Sequence, residues 1–233
     1  MDINDERIQE AVKNTRVLRS PKQTLDAFGT TNIYYYLLTE PSYKEVIEDT
    51  SETVIREGRV IAQRPKVVTP YYLSRLEGFS PEARRYFQML TGKHGHKIAG
   101  LFYSYRNEPK ELSIVSDDIP AVTERLNSEI DRRGEPLTSI ISGQDDLWDV
   151  SLMRFIYEVT GSSVQQNLRQ MGARGLLSMD SSGTPADARV KIEELFGKAY
   201  RGECEPAILK EELDRWGLFP DYEDRFFALF RER

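Results

Sequence analysis

Ile33-Tyr34-Tyr35-Tyr36-Leu37-Leu38-Thr39 is the stretch that decides the fold class. Isoleucine and tyrosine favour a pleated, half-buried surface, the run is too short for a packed helix, and Pro41 closes it because proline cannot extend a ladder of hydrogen bonds. Side chains alternate along a strand, so Tyr34 and Tyr36 leave by one face and Tyr35 by the other. At a sheet edge Tyr34 and Tyr36 offer a partner surface; in a covered central strand all three are core residues.

Working outward from it, the flanking segments supply further strands. Thr53–Arg56 and Arg59–Ala62 read as a hairpin turning at Glu57-Gly58, where glycine supplies the unusual backbone angles of a tight turn. Val67–Thr69 reads as a short strand before Pro70. Ile98–Tyr105 and Leu112–Val115 read as two strands joined by a loop over Arg106–Lys110, and Leu137–Ile141 as the last strand. Residues 15–32 show no periodicity and read as a loop or arm.

Helices are marked by period and punctuation. Residues 4–14 form a short amphipathic segment with Ile8 and Val12 on one face. Ser80-Pro81 opens a helix over 81–92 that ends near Gly92. Asp118 caps one with Val122, Leu126 and Ile130 in line, closed by Gly134. Beyond residue 142 the pattern is helical. Trp148, Leu152, Phe155, Ile156 and Val159 share a face; Ser162 or Ser163 opens a short helix; and Thr184-Pro-Ala-Asp187 resembles a capping box ahead of Ile192, Leu195, Phe196 and Ala199. Pro206 and Gly217 bracket a helix holding Leu209, Leu213 and Trp216, and a last helix over 221–231 aligns Tyr222, Phe226 and Phe230. The expected fold is α+β: a small mixed or antiparallel sheet of about five strands flanked by helices, then a mainly helical portion. The expected division is 1–142 and 143–233.

Charge is unevenly spread. Residues 1–110 hold 17 Lys/Arg against 14 Asp/Glu, and residues 111–233 hold 15 against 24. Within 53–106 the balance is 10 to 3, so a basic middle precedes an acidic tail. Either the middle faces an anionic partner or the two parts neutralise one another within the molecule. No apolar run approaches the ~20 residues of a membrane span. The acidic start MDINDERIQE is unlike a signal peptide, and the single cysteine, Cys204, excludes an internal disulfide. A cytoplasmic protein without membrane attachment is expected.

Catalytic signatures are missing: no phosphate-binding glycine loop, no nucleophile elbow, no paired cysteines, no H-E-x-x-H. No cofactor is therefore expected. His94 and His96, two apart, fit a shared metal on a strand, but flanking lysines and glycines read as a solvated loop. Cys204 lies between Glu203 and Glu205, which disfavour a thiolate. Asp145, Asp146 and Asp149 fit a metal or acid–base site, and equally the favourable charge at a helix start.

Three functional readings follow. The leading one is a non-catalytic interaction or regulatory protein with a protein partner or a second copy of itself, its contact surface drawn from Tyr34, Tyr36, Trp216, Phe226 and Phe230. The second is a nucleic-acid or ribonucleoprotein binder using the basic, aromatic segment 53–106, with Arg64, Lys66, Arg75, Arg84, Arg85 and Arg106 on phosphates. The third is an enzyme with a dispersed acidic site around Asp145.

Overall fold

A computed structural model of the chain describes residues 3–45, 51–69, 72 and 100–230. In chain order these form α1 (Ile3–Asn14), β1 (Arg16–Arg19), β2 (Thr31–Thr39), a single 3-10 turn (Ser42–Glu45), β3 (Thr53–Ala62), β4 (Lys66–Val68), β5 (Gly100–Phe102), β6 (Tyr105–Val115), α2 (Ile119–Arg133), β7 (Thr138–Gly143), α3 (Trp148–Ala173), α4 (Ala186–Tyr200), α5 (Pro206–Trp216) and α6 (Phe219–Ala228). The helix expected over 81–92, His94 and His96, and Arg75, Arg84 and Arg85 lie outside the described residues. The chain divides into two compact units, Met1–Arg64 with Tyr103–Asn167 and Pro65–Phe102 with Leu168–Arg233.

The first unit is a five-stranded mixed sheet in the order β1-β7-β2-β3-β6, an α+β arrangement. β2 runs parallel to β7 and antiparallel to β3, while β6 and β1 close the two edges in antiparallel pairs. β2 is thus central, with the face of Ile33, Tyr35 and Leu37 covered along its length and the other face covered toward Leu38. Ile33, Tyr35 and Leu37 pack with Val60, Ala62 and Ile141 against Leu152, Phe155, Ile156 and Val159 of α3. On the other face Leu38, Ile55 and Ile140 receive Val122, Leu126 and Ile130 of α2. α2 begins where the Asp118 carboxylate accepts the Ala121 N–H, and it stops at Gly134 in the left-handed region, φ 65°.

Several local expectations change. Thr53–Ala62 is one unbroken strand, and its register with β6 shifts at Glu57/Gly58. Gly58 marks a bulge rather than a turn, because the Tyr35 ring needs its space: a Cβ there would stand 2.5 Å from the Tyr35 hydroxyl oxygen. Arg106–Lys110 is strand, not loop, for β6 runs from Tyr105 to Val115. Arg16–Arg19, expected in a loop, pairs with β7. Ser163 lies inside the 26-residue α3, where its hydroxyl donates to Val159 O and accepts the Leu25 N–H at 3.0 Å.

The second unit joins the small antiparallel pair β4–β5 to α4, α5 and α6. Its core gathers Val68, Tyr72, Ile192, Phe196, Leu209, Leu213, Trp216 and Phe226. Pro206 and Gly217 bracket α5 as expected. The capping box at Thr184 does not form. Asp187 turns away to accept the Val67 N–H of β4 at 3.1 Å, and the Thr184 N–H is held by Asp180 instead. No helix among the described residues is long and apolar enough to cross a membrane.

Candidate functional site

Three features of the first unit follow from this topology: a crevice at the carboxyl ends of β2 and β7, a tyrosine-lined hollow over the middle of the sheet, and the open edge of β6.

Adjacent parallel strands whose chains depart in different directions leave a crevice beyond their carboxyl ends. β2 and β7 do so, and a cavity of about 1460 Å³ there is bordered by Glu40, Ser42, Asn127, Gln144, Asp145 and Asp146 among others. Asp145 is clasped from several sides. The Arg56 guanidinium lies 2.7 Å from it, the Thr39 hydroxyl donates to it at 2.7 Å, and the Ser42 hydroxyl donates at 3.1 Å. Arg56 also donates to Thr39 Oγ1 at 2.9 Å and lies 5.7 Å from the Trp148 ring centroid. Burial alone would raise the Asp145 carboxyl, but the Thr39 hydrogen bond and the Arg56 charge outweigh it and hold the group below its ordinary range. Such a carboxylate stays ionised and joins the ends of three elements; it is a poor proton carrier. Asp146 pairs with Arg7 at 2.5 Å, and both side chains are more than half exposed. Asp149 is exposed in the first turn of α3 and does not border the crevice. The three acids therefore do not converge. Among the described residues no trio of His, Cys, Asp or Glu is placed to hold a metal ion.

The tyrosine hollow encloses about 440 Å³ between Tyr34, Tyr36, Arg59, Glu108, Lys110 and Arg133 with their neighbours. Alternation places the rings as the sequence requires. Tyr35 is buried and donates to Asn107 Oδ1 at 3.1 Å, whereas Tyr34 keeps 46% of its surface exposed and Tyr36 is half-buried. The charges around the hollow are already matched: Arg59 meets Glu108 at 2.6 Å, and Lys110 meets Glu57 at 2.5 Å. Burial, with Glu57 next to it, pushes the Tyr36 hydroxyl up, so the ring presents a neutral donor.

Among the described residues β6 stands at the end of the sheet and pairs through one side only. Eleven residues long, it leaves Leu112 58% and Ile114 51% exposed. A long edge with apolar side chains and unpaired backbone groups is a template for another strand. Sequence reasoning missed this element. Pro109 and the charges around it read as a loop, and nothing local distinguishes an edge strand from a short strand after a turn.

The remaining candidates are dispersed. Trp216 and Phe226 are 5% and 6% exposed, core residues of the second unit rather than a contact surface; the Trp216 indole N–H donates to Glu212 at 3.4 Å. Phe230, 54% exposed, packs edge-on against Phe226. Lys66 lies 3.8 Å from buried Glu212, Arg106 pairs with Glu108 at 2.7 Å, and Arg64 is partly buried. Cys204, partly buried, directs its thiol toward Glu205 O.

Comparison with known proteins gives no match: no family model fits the chain, and no curated protein or solved structure is similar to it.

Proposed function

We propose that this is a non-catalytic interaction protein acting through protein–protein contacts in the cytoplasm, and that its contact element is the outer edge of β6. The observation that supports the reading is the exposed apolar pair Leu112 and Ile114 on a strand that pairs through one side among the described residues. An extended partner segment added there gains main-chain hydrogen bonds along the edge and two apolar contacts on one face. Pro109, which has no N–H, and the register shift beside it interrupt that edge before Glu111. The cytoplasmic placement rests on the single cysteine.

The other two readings draw less support. Among the described residues, Arg56, Arg59 and Lys66 of the basic segment are met by Asp145, Glu108 and Glu212 within the same unit, which leaves these three less available to phosphates. The acids at the crevice are engaged in the same way.

The reading is tested by native pull-down of the tagged chain from its source cells, treated with nuclease, beside the double variant Leu112→Lys/Ile114→Lys and the control Met153→Lys, at a helix position 63% exposed. Partners captured by the parent and the control but lost from the double variant are expected. The same set captured by all three removes β6 as the contact element.

A further inference from the structure

We infer that the strand taken up by β6 is β6 of a second copy of this chain, paired antiparallel about a two-fold axis at Ser113. This rests on the strand-addition reading above and goes further by naming the occupant and the register. When two identical antiparallel strands pair about such an axis, the residue on the axis faces its own copy and each residue k places before it faces the one k places after it. Residues directly opposite share a face, so the register decides which side chains meet.

The segment after Pro109 reads Lys110-Glu111-Leu112-Ser113-Ile114-Val115-Ser116-Asp117, and it discriminates among the centres. An axis at Lys110 or Glu111 sets like charges face to face. An axis at Leu112 sets Lys110 against Ile114. An axis at Ile114 sets Glu111 against Asp117 and Leu112 against Ser116. Only an axis at Ser113 opposes Leu112 and Ile114, the two exposed apolar residues, and it does so twice by symmetry. Within β6 the same axis sets Glu111 against Val115, on the opposite face. Apolar contact on both sides of the axis is the complementarity this register offers. Both faces of the sheet then continue across the axis, turning five strands into ten.

The side chains of β3 opposite this segment agree with the register. Leu112 and Ile114 face Arg56 and Val54, on the side that carries α3, while Ser113 faces Ile55 on the side that carries α2.

Sedimentation velocity of the full-length chain over a concentration series is the experiment, with covalent trapping as the second measurement. The parent chain is expected to move from one-chain to two-chain mass as concentration rises, and Ile114→Lys to stay at one-chain mass with an unchanged circular dichroism spectrum. In a Cys204→Ser background, Ser113→Cys is expected to give a disulfide-linked pair under mild oxidation and Lys110→Cys none, because opposed residues on the axis lie about 4.5–5.5 Å apart at Cα, within disulfide reach. A two-chain species that survives Ile114→Lys, or trapping equal at both positions, overturns the inference. So does one-chain mass at every concentration. In that last case the pull-down separates the two proposals: partners lost from Leu112→Lys/Ile114→Lys keep strand addition with a different occupant, and partners unchanged remove it as well.

Discussion

Single residues show how far a local rule carries. Glu57-Gly58 between two β-rich runs satisfies the signals of a turn, yet Gly58 is small because something else needs the room. The Tyr35 hydroxyl and Glu108 O would stand 2.5 Å and 2.9 Å from an added methyl. Gly58→Ala is therefore expected to cost about 1–3 kcal/mol through displacement of the Tyr35 ring or of β6, measurable as a lowered midpoint in chemical denaturation. Tyr72 gives a second residue-level expectation. Its ring lies 4.7 Å from that of Trp216, and burial, reinforced by Glu212, pushes its hydroxyl up to about 12. A raised folded-state value means the folded protein holds this proton more tightly than the unfolded chain. The stability it contributes is complete below the unfolded value of about 10 and is lost as pH rises toward 12. Tyr72→Phe, which has no such proton, is expected to lose stability less steeply than the parent across that window in thermal melts.

At the level of elements, what was legible is what is decided nearby in the chain. α2 is announced by its Asp118 cap, its Val122–Leu126–Ile130 stripe and Gly134, and α5 by Pro206 and Gly217; all of these act within a turn or two. The strand character of β2 was equally plain. Its central position was not, because that depends on β7 arriving beside it from a hundred residues away. The same gap hid the role of Asp145, whose partners Thr39, Ser42 and Arg56 belong to remote segments, so that only the position of an acid before a helix could be read. Serine is a good cap, so Ser162–Ser163 alone signals a helix start; in the structure Ser163 accepts the Leu25 N–H and α3 continues through it. α3 anchors one face of the sheet through the fully buried Phe155. Phe155→Ala is expected to cost about 3–5 kcal/mol, the range for removing a buried aromatic ring, and to appear as a large fall in thermal midpoint with the secondary-structure content kept at low temperature.

Over the whole molecule, some cations of the basic middle meet acids of the acidic remainder. The basic middle and the acidic remainder meet as Arg56 with Asp145 in the first unit and Lys66 with Glu212 in the second, each joining segments far apart in sequence. Charge counts carry no information about which side chains will meet, and Arg75, Arg84, Arg85, Lys93 and Lys97 of the basic middle lie outside the described residues. The division into units was not legible at all: each is assembled from two stretches of chain, and no linker composition marks the crossings at Arg64, Tyr103 and Asn167.

The way the chain leaves the sheet and returns to it has a consequence for how such a protein arises and how it can be taken apart. β3 and β6 are neighbours, and the Gln63 N–H donates to Ser104 O at 2.9 Å just beyond their paired ends. Everything from Arg64 to Tyr103 hangs from two points already held together by one hydrogen bond. Topologically it is an insertion in a hairpin, and the cost of closing so long a loop grows only slowly with its length. A two-residue turn in its place would leave the sheet's ladder ends where they are, whereas the same excision takes from the second unit one of its two stretches and, with it, Val68 and Tyr72 of its core. Val68 and Tyr72 thus reach the core of the second unit on a segment tied at both ends to neighbouring strands of the first.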